Sequence, residues 1–121
     1  MNKKSKIIIY TDGGSRGNPG PSGIGVVFKD ENEKLIKEYS KFLGEKTNNE
    51  AEYEAVIFAL GKAKQLFGKE KVKKIKFEMR MDSELIARQL RGEYKIETEK
   101  LFPLFIKIHN LIIDFGEIKK P

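Results

Sequence analysis

The sequence contains no cysteine and no tryptophan, and it has a single histidine. The absence of cysteine excludes disulfide bonds, zinc–thiolate sites and a cysteine nucleophile, and it fits a reducing compartment. The N-terminal segment leads directly into a strand-like run and does not resemble a signal sequence, so we predict a cytoplasmic location. No apolar run approaches the roughly 20 residues that a membrane-spanning helix needs, and we expect no membrane contact.

Charge and length set the next limits on function. The chain has 121 residues, which predicts a single domain over residues 1–121. Lysine and arginine total 24 against 18 acidic residues, which gives a formal net charge of +6. An excess of positive charge suits a polyanionic partner such as nucleic acid. This signal is weak alone, because lysine-rich thermophile proteins have a similar balance.

The first third of the chain predicts three strands that pair in antiparallel fashion. They cover residues 6–11, 23–29 and 34–43, and the first is so apolar that it should be buried on both faces. Residues 12–22 are rich in glycine and proline, and we interpret them as a connection longer than a simple hairpin.

Helical periodicity begins after residue 47. An apolar stripe predicts a helix from Asn48, capped by Thr47 or Asn48 and ended by Gly68. The stripe consists of Ala51, Ala55, Ala59, Leu60, Ala63 and Leu66. The remaining chain predicts a basic connection, a fourth strand, a short helix, a long helix and a strand stub, at residues 69–74, 75–81, 83–90, 98–115 and 117–121. Leu104, Ile108, Leu111 and Ile112 should form the buried face of the long helix.

This order of elements predicts an α+β fold with a mixed sheet and with helices packed on it. A strand–helix–strand crossover should place the fourth strand parallel to the first and beside it. Asp12 and Asp82 then leave the same edge of the sheet. Glu52, in the first turns of the crossover helix, should face the same edge.

Three converging carboxylates have a chemical consequence. They repel one another unless a cation lies among them, and an all-oxygen cluster points to Mg²⁺ or Mn²⁺. Metal ions held by such acids can activate water and stabilise the leaving oxygen of an in-line phosphodiester displacement. A basic protein with this cluster suggests a metal-dependent nuclease.

Five motifs lie in order within residues 7–116, and the ordered set is far more specific than any single motif. The motifs are Tyr10-Thr-Asp-Gly13, Gly17-Asn-Pro-Gly-Pro21, Thr47-Asn-Asn-Glu-Ala-Glu-Tyr-Glu-Ala55, Asp82-Ser-Glu-Leu85 and Gly92-Glu-Tyr-Lys95. Together they resemble the motifs of type 1 ribonuclease H, in the ribonuclease H-like superfamily.

The resemblance implies endonucleolytic hydrolysis of the RNA strand of RNA–DNA hybrids with two divalent ions. The implied catalytic and metal ligands are Asp12, Glu52 and Asp82, with the backbone of Gly13 close to the metal. Matching the remaining motifs implies that Asn18, Asn48 and Asn49 contact the minor groove and that Thr47 contacts a DNA phosphate. We also expect Gly13 and Gly14 to let the backbone near Asp12 approach metal and phosphate.

The sequence departs from this family at its C-terminal end. The family's fourth acid lies on a last helix after a fifth strand, and this chain is short there. Asp114 and Glu117 come too early to replace that acid, and His109 is interpreted as structural or solvated. We therefore expect weakened cleavage. Two alternatives stay open: a catalytically impaired nucleic-acid-binding module of the same fold, and a structural α+β protein with incidental acids.

A shortened sheet also has a packing consequence. Without a complete fifth strand, the fourth strand should be an open edge that can pair with a second chain. We therefore expect a homodimer or a strand swap.

Overall fold

A computed structural model describes residues 5–121 of the chain. It has five strands, four α-helices and one 3-10 turn, and apart from the short helix α2 and the 3-10 turn they follow the predicted order. The strands are β1 (Lys6–Ser15), β2 (Gly20–Asp30), β3 (Leu35–Lys46), β4 (Lys76–Arg80) and β5 (Glu117–Lys119). The helices are α1 (Asn48–Phe67), α2 (Lys69–Val72), α3 (Glu84–Leu90) and α4 (Phe102–Ile113), and the 3-10 turn is Glu99–Leu101.

The strands form one mixed sheet in the spatial order β3-β2-β1-β4-β5. The first three strands pair in antiparallel fashion, and β4 is parallel to β1. Both features confirm the predicted topology, and the α+β class is confirmed with them. In the parallel pair, Tyr10 lies opposite Arg80, which fixes the relative height of the two strands.

The core lies between one face of this sheet and α1. Alternate residues of the strands, such as Ile9, Val26 and Phe28, are fully buried against Val56 and Leu60 of the helix. This arrangement follows from the strand period of two and the helical period of 3.6, which place apolar side chains on one face of each element. The opposite face of the sheet carries many of the charged side chains.

The first helix forms where its sequence pattern predicts it. Thr47 is the N-cap: its hydroxyl accepts a hydrogen bond from the amide of Glu50, and the Glu50 carboxylate accepts one from the amide of Thr47. Gly68 ends the helix with a φ of 86°, a conformation that favours glycine. The predicted stripe is buried except for Leu66, whose side chain stays 39% exposed.

Two connections differ from their predictions. The glycine-rich segment after Asp12 belongs mostly to strands, because Gly13 and Gly14 pair with Ile24 and Gly23. Only residues 16–19 form the turn, so the prediction of a long connection is wrong. Cross-strand pairing here overrides the low strand propensity of glycine. The basic segment after Gly68 is not irregular either, since it contains the short helix α2.

The C-terminal segment also differs from its prediction. The long helix starts later than residue 98, because a 3-10 turn precedes α4. Its predicted apolar face packs on the core, with Ile108 buried. The residues after it form β5, which pairs in parallel with β4. The prediction that β4 is an open edge is therefore wrong, because backbone hydrogen bonding of three residues suffices to cover it.

Within residues 5–121, no helix is both long enough and apolar enough to cross a membrane.

Candidate active site

Strand register brings two aspartates together at one edge of the sheet. Tyr10 and Arg80 are partners in the parallel pair of β1 and β4. Asp12 and Asp82 each lie two residues beyond these partners, so they occupy matching positions where the two chains leave the pairing. Both side chains are exposed.

A close backbone contact brings the third acid to the same place. Gly13 packs directly against the first turns of α1: a Cβ atom built on it would lie 2.3 Å from the carbonyl oxygen of Ala51 and 2.7 Å from the amide nitrogen of Glu52. Only glycine permits this approach. The helix therefore presents Glu52 beside the strand that carries Asp12.

The three carboxylates line one small cavity of about 20 Å³. This volume is enough for a single water molecule or ion. The remaining lining residues are Thr11, Gly13, Met81 and Ser83.

Glu52 is the acid whose environment is most unusual. Its Oε2 atom is buried and has no hydrogen-bond partner within residues 5–121. Burial raises the pKa of Glu52, and the negative charges of Asp12 and Asp82 raise it further, while the Ser83 hydroxyl opposes them. A buried carboxylate oxygen without a partner is costly, and a cation or a proton in the cavity would relieve that cost.

The donor chemistry of the cavity fits a hard divalent cation. All three side chains supply carboxylate oxygens, which Mg²⁺ and Mn²⁺ prefer, and the Oε2 atom of Glu52 has no hydrogen bond within the described residues. In the part of the chain that the structure describes, no group of three such side chains already stands close enough together to hold a metal ion. The exposed Asp12 and Asp82 would have to turn towards Glu52.

The residues predicted to contact substrate lie at the start of α1 and in the β1–β2 turn. Asn18 Oδ1 accepts a hydrogen bond from the amide of Asn48 at 3.0 Å, and Asn48 Oδ1 accepts one from the amide of Ser15 at 2.8 Å. These bonds fasten the turn to the helix. Thr47 is engaged as the helix cap, and Asn49 is half-buried in the first turn.

Two open grooves meet at Asp12. One, of about 750 Å³, extends over β1 and β4 and is lined by Arg80, Lys119 and Lys120 among others. The other, of about 820 Å³, extends over β2 and β3 and includes Arg16 and Lys41. The sequence analysis missed these basic residues. Lys119 of β5 and the adjacent Lys120 were not predictable as lining the same groove as Asp12, because that strand was not expected to pair.

Several other sequence expectations can be compared with their places in the structure. Gly13 closely approaches the backbone of α1, whereas a Cβ atom at Gly14 would meet nothing within 4 Å. The approach of these two glycines to metal and phosphate stays a prediction. Asp114 forms an ion pair with Lys64 at 2.6 Å, and Glu117 pairs with Lys76 at the opposite end of β4 from Asp82. His109 is exposed on α4.

Comparison with known proteins adds a second line of observation. The chain is 36% identical over 114 residues to the bifunctional protein Rv2228c of Mycobacterium tuberculosis, a match that covers 93% of this chain and 30% of that protein. It is 34% identical over 112 residues to Ribonuclease HI of Halobacterium salinarum, covering 93% of this chain and 53% of the relative. The chain thus spans 30% to 53% of the length of these relatives.

The fold has solved counterparts as well. A crystal structure of LC11-RNase H1 in complex with an RNA/DNA hybrid matches with a TM-score of 0.88 and 47% identity, over 93% of this chain and 81% of that one. The family model described as RNase H matches residues 4–100. This match covers most of the chain, and it agrees with the sheet order, the crossover helix and the three acids at one edge. The chain therefore belongs to the RNase H family.

Proposed function

We propose that this chain hydrolyses the RNA strand of RNA–DNA hybrids endonucleolytically, with Mg²⁺ as cofactor and Mn²⁺ as a substitute. The observation that carries the proposal is the cavity that Asp12, Glu52 and Asp82 share, with the buried and unpartnered Oε2 atom of Glu52 in it. The family membership supports the same activity, and the hybrid bound to LC11-RNase H1 supports the substrate class.

The three acids would hold the divalent ions, and the backbone of Gly13 lines the same cavity. When bound, these ions supply the activated water and the charge stabilisation of an in-line displacement at phosphorus. Glu52 sets the position of the proposed metal site, because the start of α1 packs directly against Gly13. Asp12 and Asp82 are exposed, two residues beyond the last residues that pair β1 with β4, and they would turn their carboxylates towards Glu52.

Recognition of the hybrid falls to the residues that fasten the first turn to α1. Asn18 and Asn48 use their carbonyl oxygens within the protein, and among the described residues their amide NH₂ groups have no partner. These groups are suitable donors to 2′-hydroxyl and base-edge acceptors in the minor groove, with Asn49 beside them. Thr47, whose side chain caps the helix, lies beside these groups and is the proposed contact to a DNA-strand phosphate.

Among the described residues, three acids line the cavity. We therefore propose that a second metal ion is held weakly and that cleavage is slow. The competing function is a nucleic-acid-binding module of the same fold with little or no catalysis.

Cleavage of a hybrid in Mg²⁺ and Mn²⁺ by the wild type and by Asp12→Asn separates these two functions. We expect wild-type cleavage that the substitution reduces by at least about 100-fold, because a metal ligand is lost. Asp30→Asn is the matched control: Asp30 lies opposite Ile7, at the other end of the sheet, and accepts backbone hydrogen bonds that an amide oxygen can also accept. Equal cleavage by all three proteins would contradict the proposed site.

Thermal unfolding in the presence of Mn²⁺ provides a readout that does not depend on catalysis. A cation that binds the folded state raises the melting temperature, and Asp12→Asn should abolish this rise while Asp30→Asn keeps it. Binding of hybrid without metal-dependent cleavage or stabilisation would favour the binding module.

A homodimer or a strand swap remains a proposal of its own. β5 is now the strand at that edge of the sheet, and its three residues leave the outer edge short. Light scattering at high protein concentration tests it, and a monomeric mass would contradict it.

A further inference from the structure

The edge of the sheet farthest from β5 carries a cluster of lysines over two aromatic rings. Tyr39 of β3 and Phe58 of α1 lie edge to face, with ring centroids 5.9 Å apart. The ammonium group of Lys62 is 5.3 Å from both centroids, that of Lys37 is 5.8 Å from Tyr39, and that of Lys41 is 5.6 Å from Phe58. We call Lys37, Lys41 and Lys62 the lysine cluster.

The aromatic rings explain why these side chains gather. Each ring presents a negative face that attracts an ammonium group, so the lysines are drawn together in spite of their mutual repulsion. Lys62 is also held by Gln65, whose side-chain oxygen accepts a hydrogen bond at 3.2 Å. The cluster is therefore an organised surface and more than a set of freely moving side chains.

The charge of the cluster is not neutralised by the protein. Within the described residues, none of the three lysines forms an ion pair. Lysines on the other face of the sheet differ, since Lys6 pairs with Glu78 and Lys29 with Glu33. Three positive charges held together without a carboxylate favour an anionic partner.

The position of the cluster connects it to the candidate active site. Lys41 also lines the groove over β2 and β3 that reaches Asp12 and Arg16. The same two elements, β3 and α1, meet at Thr47, where the proposed substrate contacts begin. The ammonium group of Lys41 points to Phe58 on the α1 side of β3, so a polyanion that leaves this groove across the β3 edge reaches the lysines.

The geometry of the cluster favours a polymer over a small anion. Lys37 and Lys41 are exposed, and within residues 5–121 no buried side-chain donor lacks a hydrogen-bond partner that a free phosphate or a mononucleotide could supply. Three ammonium groups held over the rings at separate points are suited to successive phosphates of a nucleic acid strand.

We propose that the lysine cluster binds the phosphate backbone of the RNA–DNA hybrid outside the cleaved segment. This inference rests on the proposed substrate class but not on catalysis. The cluster extends the substrate contact from the groove at Asp12 along the outer side of β3 and α1. It should therefore matter for long hybrids and not for hybrids too short to leave the groove.

The test measures hybrid binding in EDTA, without cleavage, as a function of salt concentration. The triple variant Lys37→Gln, Lys41→Gln, Lys62→Gln should weaken binding of a long hybrid at least about tenfold at ~0.1 M salt, and it should lower the slope of log K against log salt by roughly 2 to 3. The matched control is Lys71→Gln, Lys73→Gln, Lys74→Gln, which removes the same charge from exposed positions at the opposite end of β4 from Asp82.

The outcomes separate the two proposals. The inference is supported if the dependence of log K on log salt is less steep in the cluster variant than in the control, even if the wild type cleaves nothing. Equal slopes in the two variants overturn it, even if the wild type cleaves hybrids well. A loss of binding that is the same for short and long hybrids also overturns it, because the contact would then lie inside the groove.

Discussion

The two helices that border the candidate site are held in very different ways. The start of α1 is fixed by the contact of Gly13 with Ala51, by the capping box of Thr47 and by the bonds of Asn48. In contrast, α3 has seven residues, and its cap bond from the amide of Ile86 to the hydroxyl of Ser83 is long, at 3.3 Å.

The carboxylates near the two helices differ in burial in the same way as the helices differ in how they are held. Glu52, on the firmly held side, is partly buried and has an oxygen without a partner. Asp82, on the lightly held side, is exposed and precedes the short helix. A site that must tolerate repulsion before a cation binds gains from one rigid carboxylate and from others that can move. Glu52 on α1 then fixes the position of the metal site, and the other two carboxylates adjust to it.

The largest expected effect comes from substituting Gly13, whose contact with α1 holds the start of that helix. The substitution Gly13→Ala forces a Cβ atom to within 2.3 Å of the carbonyl oxygen of Ala51, so strand and helix must separate. We expect a loss of roughly 3 kcal/mol in the free energy of unfolding, measured by chemical denaturation. Glu52 moves with the helix, and cleavage should fall as well.

The neighbouring glycine provides the control for this prediction. Gly14 also lies in β1, and a Cβ atom there meets nothing within 4 Å. Gly14→Ala should therefore change stability by less than about 1 kcal/mol, with stabilisation allowed because the unfolded chain loses freedom. Similar losses for the two variants would show that the close contact is not what holds the helix.

The next largest effect concerns the bond that joins the two helices. The hydroxyl of Tyr53, fully buried on α1, donates to Gln89 Oε1 of α3 at 2.7 Å, and burial raises the pKa of Tyr53 to about 12. Tyr53→Phe leaves the buried acceptor of Gln89 without this donor. We expect a cost of about 1–2 kcal/mol in unfolding free energy.

Amide hydrogen exchange can show which of the two helices, α1 or α3, is destabilised more by Tyr53→Phe. In Tyr53→Phe, exchange should accelerate in α3 more than in α1, because α1 keeps its other anchors. Tyr94→Phe is the control, since Tyr94 is 48% exposed and its hydroxyl has no hydrogen bond among the described residues. Equal acceleration in both helices would remove the distinction between a rigid and a mobile side.

Much of the rigid side could be predicted from the sequence. The alanine stripe has a clear helical period, and Thr47 with Glu50 forms a recognisable capping pattern. The crossover rule then placed Asp12 and Asp82 at one edge of the sheet. Local pattern and topology are enough for these features, because each depends on a short stretch or on chain order.

Other features depend on contacts between distant segments and could not be predicted in this way. The extension of β1 through its glycines rests on pairing with β2, and β5 is too short to show a period. Position 13 requires glycine because the backbone of α1 lies against it, and no local sequence pattern shows this contact. The lysine cluster combines β3 with α1, so its charges appear along the sequence as ordinary surface lysines.

The smallest expected effect compares the two helix caps directly. Thr47→Ala removes the hydroxyl that accepts from Glu50 at 3.1 Å, whereas Ser83→Ala removes the acceptor of the longer, 3.3 Å bond at α3. We expect about 1 kcal/mol of lost stability for Thr47→Ala and roughly 0.5 kcal/mol for Ser83→Ala, by denaturation without nucleic acid. If Ser83→Ala costs more, the Ser83 hydroxyl ties α3 to Glu52 of α1 as well as capping α3. The movement of Asp82 that the proposed metal site requires would then rest on the exposure of its side chain alone.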